Sequence, residues 1–407
     1  MSPPFETKGS NDTMNTAMED ANSAARITLD EVLEAAQAIT SRYPDAYYRE
    51  LDKSGGYPHE FIKDAMNAGL HTVMIPVEYG GMGLGVREAS VITEEIHRSG
   101  GAGAMLHGQM FMMGILARHG SEDQKRRVLT EVAAGHVRLQ SFSVTEPDAG
   151  TDTSKIKTRA RREGNHWYIT GQKVWTSRAA HTDMLIVLAR TSPPKDPARP
   201  FEGLSCFLVD VRDVDPKQFQ VRKIEVMFNH HTYEVFYDNL KVPDNALIGE
   251  EGKGFKYLLD GLNAERILIA SECIGDGRWF VDRAVKYAND RVIFGRAIGA
   301  NQGVQFPISR GYAHLEAANA LRWKAADMYD RHEKCGAEAN MAKMLASEAS
   351  WELANVCMQT HGGFGVAVEY DVERKFRENR VFQIAPISTN MVLNYIGQHV
   401  LKMPRSY

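Results

Sequence analysis

Ser143-Val144-Thr145-Glu146-Pro147-Asp148-Ala149-Gly150-Thr151-Asp152 and, about twenty residues on, Gly171-Gln172-Lys173-Val174-Trp175-Thr176-Ser177 are the two blocks that decide the reading of this chain. The first reads as a strand end, Leu139 to Val144, running into a loop. There Pro147 fixes φ, Asp148 caps through its side chain and Gly150 leaves the backbone permissive. Such a loop can turn hydroxyls and backbone N–H groups toward a ligand. The second block closes a hairpin, because Lys157 to Arg161 and His166 to Ile169 are short extended runs joined by the turn signal Arg162-Glu163-Gly164-Asn165. Its Trp175 is then available to stack on a planar ring. Taken singly, Trp175 reads as a core aromatic and the hydroxyls as turn caps; the two blocks in order say more than either does.

Outward from these blocks, length and composition bound the answer. At 407 residues the chain exceeds one core of usual size and suits two or three domains sharing an interior, with room to bury a large cofactor. A net charge of -4 and a pI near 6.4 supply no basic field for nucleic acid. No continuous apolar stretch is long enough for a bilayer, so the expectation is a soluble, cytoplasmic protein. Cys206, Cys273, Cys335 and Cys357 lie far apart, with no C-x-x-C and no His at ligand spacing, and read as packed thiols rather than a disulfide or zinc framework. The first residues mix Ser, Asn, Thr and Met with Glu6, Asp12, Glu19 and Asp20, unlike a transit or secretory signal, and residues 1–26 are expected to be a disordered arm.

The texture then divides the chain in three. Over residues 27–138 apolar positions recur at helical spacing, as in Phe61, Ile62, Ala65 and Met66, then Val91, Ile92 and Ile96. The run Gly80 to Gly85 lacks G-x-G-x-x-G spacing and a surrounding βαβ unit, and reads as a turn between helices. Residues 139–245 carry short β-rich runs, Met184 to Leu188, Leu204 to Val209 and Tyr233 to Tyr237, with a proline-rich surface loop from Thr191 to Phe201. His230 and His231 have no third ligand candidate and read as loop structure, not metal. Residues 246–407 return to helical patterns, Gly254 to Arg291, Val304 to Arg331, Ala337 to His361 and Thr389 to Leu401, predicting an antiparallel four-helix bundle. The fold class is therefore α+β, mostly α: helical domain, small β-domain, helical bundle.

With that order, the two opening blocks resemble the flavin-facing part of the acyl-CoA dehydrogenases, and the resemblance runs from about residue 27 to residue 404. It implies FAD as cofactor, with Val144 and Thr145 at the isoalloxazine edge, Trp175 over a ring face and Ser177 near N5. Two C-terminal blocks add to it. Arg291-Val292-Ile293-Phe294-Gly295 with Gln302 resembles the element reaching the FAD of a neighbouring subunit, Arg291 toward the pyrophosphate and Phe294 against the adenine side; an Arg fork suits phosphate oxygens in any case. Gln359-Thr360-His361-Gly362-Gly363-Phe364-Gly365 matches the loop that approaches the dinucleotide closely, Gln359 and Gly363 included. Two such blocks imply an obligate homo-oligomer, usually a tetramer in the family.

The chemistry implied is removal of an acyl-CoA α-proton by a carboxylate while hydride leaves the β-carbon for the flavin, giving a trans-2-enoyl-CoA and passing electrons to an electron-transfer flavoprotein. Many members place the base in a Tyr-Glu-Gly-Thr loop. Here that stretch is Ala385-Pro386-Ile387-Ser388, with Ser388 carried over as a cofactor contact, and the Glu is missing. The isovaleryl and long-chain types carry it on an earlier helix before an Arg, which makes Glu265 in Leu262-Asn263-Ala264-Glu265-Arg266 the candidate base and Arg266 a substrate-orienting partner. Thr151 matches the position at the mouth of the thioester pocket, usually Ser. Pro386 departs from the pattern, because it has no N–H to offer the thioester carbonyl. Met105 to Leu116, with Met110, Met112 and Met113, reads first as core packing and second as acyl-pocket lining. Two other readings keep their place: an oxidase or flavin monooxygenase on the same fold, and a non-catalytic FAD-binding partner protein.

Overall fold

The computed structural model describes residues 27–405, so the arm assigned to residues 1–26 lies outside the described residues. The helical first part comprises α1 (Leu29–Thr40), α2 (Asp45–Ser54), α3 (His59–Asn67), α4 (Val86–Arg98) and α5 (Ala104–His119). The start of α1 is fixed by a capping box: Thr28 Oγ1 accepts from the Glu31 N–H at 3.2 Å while Glu31 Oε2 accepts from the Thr28 N–H at 2.8 Å. On α5, Met110, Met112 and Met113 are enclosed in the core.

The sheet that follows contains β1 (Leu139–Ser143), β2 (Arg159–Glu163), β3 (His166–Ser177), β4 (Met184–Arg190), β5 (Leu204–Asp210), β6 (Phe219–Lys223), β7 (Thr232–Pro243) and β8 (Leu247–Ile248). Its order is β6-β7-β3-β2-β4-β5-β8, with β1 parallel to β4. β4 and β5 are buried on both faces, and their period-2 alternation decides which core each residue joins. Ile186, Leu188, Cys206 and Leu208 face the large core shared with the helices, whereas Leu185, Val187, Phe207 and Val209 close a second core with Trp167 and Tyr237. The sheet is therefore held against the helices by its middle strands, which fixes the ends of β1 and β3 relative to α5.

The C-terminal part is built on α6 (Gly254–Asp290), α7 (Gln302–Asp330) and α8 (Gly336–His361). α6 packs against α4, α5, α7 and α8 and is buried along most of its 37 residues. The predicted bundle needs one adjustment in its fourth member. The helix α10 (Thr389–Tyr395), which follows the short helix α9 (Val372–Asn379), runs into a five-residue π turn, Ile396–Val400, a change from i+4 to i+5 bonding that apolar spacing does not register. Sequence reading missed α9 itself, because five of its eight residues are charged. Two of those, Arg374 and Lys375, are nevertheless buried, Lys375 Nζ lying 2.5 Å from Asp276 Oδ1.

Candidate active site

The β1 end and the β3 end are tied by an enclosed ion pair. Lys173 Nζ lies 3.0 Å from Glu146 Oε1 and donates to Val144 O at 2.7 Å, both side chains being buried. Burial works to raise the Glu146 carboxyl, yet Lys173 and the amides of Lys157 and Thr158 outweigh it and hold it below its usual range. Burial lowers the Lys173 amine to about 8 against the pull of Glu146. Between Lys173 and Thr176 the register of β3 with β7 shifts, and Trp175 stands at φ 59° in the left-handed region. That bulge turns the indole outward, leaving it 56 % exposed, where an alternating strand would have buried it. Trp175, Thr145, Pro147, Gly150 and Val174 line a cavity of about 560 Å³ together with Lys223, Ile224 and Glu234. Thr151 is exposed on the same loop.

Ser177 Oγ and His230 Nε2 are hydrogen-bonded at 3.0 Å. Burial, with Arg178 and His231 adding to it, lowers the His230 imidazole to about 3, so the ring is neutral. His231 Nδ1 meets His181 Nε2 at 3.2 Å, and its Nε2 lies 3.1 Å from Gly56 O. The histidine pair thus holds elements together: His230 ties to the end of β3 within the same domain, and His231 reaches Gly56 of the first domain. Among the described residues no group of three His, Cys, Asp or Glu side chains could hold a metal ion.

Glu265 stands on α6, buried, and its Oε2 has no hydrogen-bond partner. Burial raises its pKa, with Glu272 adding to the shift and His107, Arg266 and Arg178 opposing it. Arg266, also buried, donates from Nη1 to Asn263 Oδ1 at 2.9 Å, and its Nε has no partner. Two turns further along α6, Glu272 takes a 2.6 Å hydrogen bond from His107 Nδ1 on α5. Burial works to raise Glu272, but His107 and His97 hold it below its usual range. A carboxylate with a vacant oxygen, enclosed and flanked by cations, is the arrangement a proton-abstracting base requires.

The loop at Pro386 is anchored from α8. Lys343 Nζ donates to Ile387 O at 2.7 Å, and burial lowers its pKa to about 8. Beside the proline, which has no N–H, the Ile387 N–H has no acceptor among the described residues. Ser388 caps α10, its Oγ accepting from the Met391 N–H at 3.4 Å.

The remaining predicted residues lie elsewhere. Arg291 follows the last turn of α6, 26 residues from Glu265, roughly 39 Å along the helix. Phe294 is fully exposed at φ 53°, and Gln302 opens α7, also exposed. Gln359 and Gly363 come to the same end of the molecule, because His361 stacks on Tyr287 of α6 at 4.2 Å. Both are exposed, and a Cβ at Gly363 would meet nothing within 4 Å. The structure thus gathers Thr145 and Trp175 at one cavity, and Arg291, Gln359 and Gly363 at the far end of α6 from Glu265. Sequence reading missed Lys173 with Glu146, Arg178, His107 with Glu272, and Lys343. Their one signal is a charged or histidine residue inside an otherwise apolar pattern.

The three domains match three family descriptions in order: acyl-CoA dehydrogenase N-terminal domain over residues 28–136, middle domain over 141–240 and C-terminal domain over 252–401. The acyl-CoA dehydrogenase FadE12 of Mycobacterium bovis is 36 % identical over 379 residues, covering 92 % of this chain and 96 % of its own. A 3-(aryl)acrylate reductase of Clostridium sporogenes is 33 % identical over 355 residues, 87 % of this chain and 93 % of its own. The butyryl-CoA dehydrogenase structure from Megasphaera elsdenii superposes with a TM-score of 0.86 at 26 % identity, covering 92 % of this chain and 99 % of that one. With all three domains matched and a fold shared along nearly its whole length, this chain belongs to the acyl-CoA dehydrogenase family of enzymes.

Proposed function

We propose that the protein catalyses FAD-dependent α,β-dehydrogenation of an acyl-CoA thioester to a trans-2-enoyl-CoA, with Glu265 as the base. The observation that carries this is the buried Glu265 carboxylate with its vacant Oε2. A carboxylate so placed takes the α-proton on Oε2, and its raised pKa makes it a stronger acceptor than an exposed one. His107, Arg266 and Arg178 oppose that rise. Lys343 holds the Ile387 carbonyl, so the neighbouring Ile387 N–H is free to replace the donor that Pro386 lacks and to polarise the thioester carbonyl.

The residues fit FAD. The bulge that exposes the Trp175 ring beside a cavity of about 560 Å³ presents a flat apolar face, with Thr145 at its edge and Val144 and Ser177 next to it in the chain. FAD, when bound, supplies the hydride acceptor for the β-carbon. Because Arg291 lies roughly 39 Å from Glu265 along α6, with Gln359 and Gly363 brought to the same end by the His361–Tyr287 stack and Phe294 and Gln302 following Arg291 in the chain, these residues would hold the FAD of a neighbouring subunit, making a homo-oligomer, in the family's manner a tetramer. An electron-transfer flavoprotein would take the electrons.

Anaerobic titration with straight and branched acyl-CoAs, following flavin absorbance, tests the proposal. The parent should bleach with one group of thioesters and Glu265→Gln with none. Bleaching by Glu265→Gln at the parental rate rules out Glu265 as base, and no bleaching of the parent by any thioester rules out the dehydrogenase reading. Rapid reoxidation of the reduced flavin by air would move the assignment to an oxidase.

A further inference from the structure

One buried charge near Glu265 has no counterpart. Arg178, the residue after β3, is 8 % exposed and stands at φ 63°, a left-handed conformation that a non-glycine residue keeps only when its surroundings impose it. Its backbone N–H donates to His231 O, and its Nε donates to Gln140 O at 3.2 Å. The two Nη atoms, with four N–H donors, have no acceptor and no paired carboxylate among the described residues. The fork lies against α5 at Gly108, where a Cβ would stand 2.7 Å from Nη2, so the missing side chain leaves the space that the guanidinium occupies.

The neighbouring groups make this a polar site. His107, adjacent to Gly108, is hydrogen-bonded to Glu272 at 2.6 Å, and Glu272 Oε2 is buried without a partner. Glu265 and Glu272 are seven residues apart, two turns along one face of α6, about 10 Å. A hydrocarbon chain entering here would leave the fork unsatisfied, which is unfavourable for a buried charge. An oxygen acceptor satisfies it, and a carboxylate matches the planar fork with two parallel bonds.

We propose that Arg178 is a specificity residue that receives an oxygen-bearing group on the acyl chain, best a carboxylate, so that the preferred substrate is an oxygenated acyl-CoA rather than a plain hydrocarbon one. This rests on Glu265 marking the reacting end of the same site. The test uses the FAD-loaded protein with five- and seven-carbon thioesters in three forms: unsubstituted, ω-carboxylated and carrying a ketone near the chain end. Binding is measured by calorimetry in the Glu265→Gln background, where turnover is blocked, and anaerobic bleaching rates in the parent.

The expected result is binding of an oxygenated form about tenfold or more tighter than its hydrocarbon match, as a charge-assisted fork predicts. Arg178→Met should remove that preference, bringing the oxygenated and hydrocarbon forms to within about twofold of each other. Gly108→Ala, which displaces the guanidinium and leaves its charge, should reduce the preference at unchanged FAD content. Equal or tighter binding of the hydrocarbon form at both lengths overturns the proposal. So does an Arg178→Met effect that is equal for all thioesters or that appears as lost FAD, since the fork would then serve the cofactor. Bleaching by Glu265→Gln would count against the base alone, because the binding ratio is read separately.

Discussion

Replacing Lys173 by methionine removes a charge that the fold encloses completely. Its Nζ is 3.0 Å from Glu146 Oε1 and 2.7 Å from Val144 O, so the change strips a counter-ion from one group and a donor from another. Removing one member of a buried pair costs about 3–5 kcal/mol, because the other charge stays buried and uncompensated. Glu146 keeps the Lys157 and Thr158 amides at 2.6 and 2.8 Å, which places the loss near the lower figure, about 3 kcal/mol. For a chain of 407 residues with an unfolding entropy of about 2.1 cal/mol/K per residue, that lowers Tm by roughly 3 to 4 °C.

The partner substitution is not symmetric. In Glu146→Gln the lysine, already lowered to about 8 by burial, loses the carboxylate that raises it and sheds its proton instead of staying charged. Its folded state then binds fewer protons at Lys173 than the unfolded chain, so this variant should gain stability relative to the parent as pH rises from about 7 to 9. Calorimetric unfolding of the parent, both single variants and the double variant checks the reasoning. The double variant should recover most of the Lys173→Met loss. A Lys173→Met Tm within about 1 °C of the parent, or a double variant equal to the sum of the singles, would refute the pair's energetic role.

Three further outcomes are expected. Because burial raises the Glu265 pKa above 4.5, the bleaching rate should fall with acidity through a limb centred above that value, and a limb at or below 4.5 in a stopped-flow pH series would contradict its burial. By linkage, a raised carboxyl makes the fold lose stability as pH climbs from the unfolded pKa through the folded one; Glu265→Gln lacks that loss and should melt at or above the parental temperature at pH 8, which thermal scans at pH 5 and 8 decide. Finally, unfolding and refolding a mixture of Glu265→Gln and Arg291→Ala chains should restore activity to about a quarter of the sites, since a mixed pair rebuilds one complete site; no recovery would place Arg291 outside its neighbour's site.

Much of the fold was legible because burial imposes period. Helical spacing in Phe61, Ile62, Ala65 and Met66 and the apolar runs of β4 and β5 record which faces meet a core. α9 was illegible for the opposite reason: Arg374 and Lys375 are core residues held by ion pairs, and hydropathy scores them as surface. Within the site, Trp175 was found through its block, but its exposure comes from a bulge set by pairing with β7, which no local spacing encodes. Arg178 went unnoticed because an arginine after a strand looks like a surface residue until α5 is packed over it.

The amino-acid order alone determined the three-part architecture, and its short contiguous patterns are what propose the cofactor-facing blocks and Glu265 as the carboxylate in place of the missing loop Glu. Only the tertiary structure decided which groups act on one another. Glu265 with Glu272, Arg178, His107 and Lys343 come from four separate stretches of chain, and their charges influence one another only because α5, α6, α8 and the end of β3 pack together away from water, where electrostatic effects are strong. The same packing sets Arg291 at the far end of α6 from Glu265, so the rigid length of that helix, rather than any motif, is what supports the proposal that Arg291 serves another subunit.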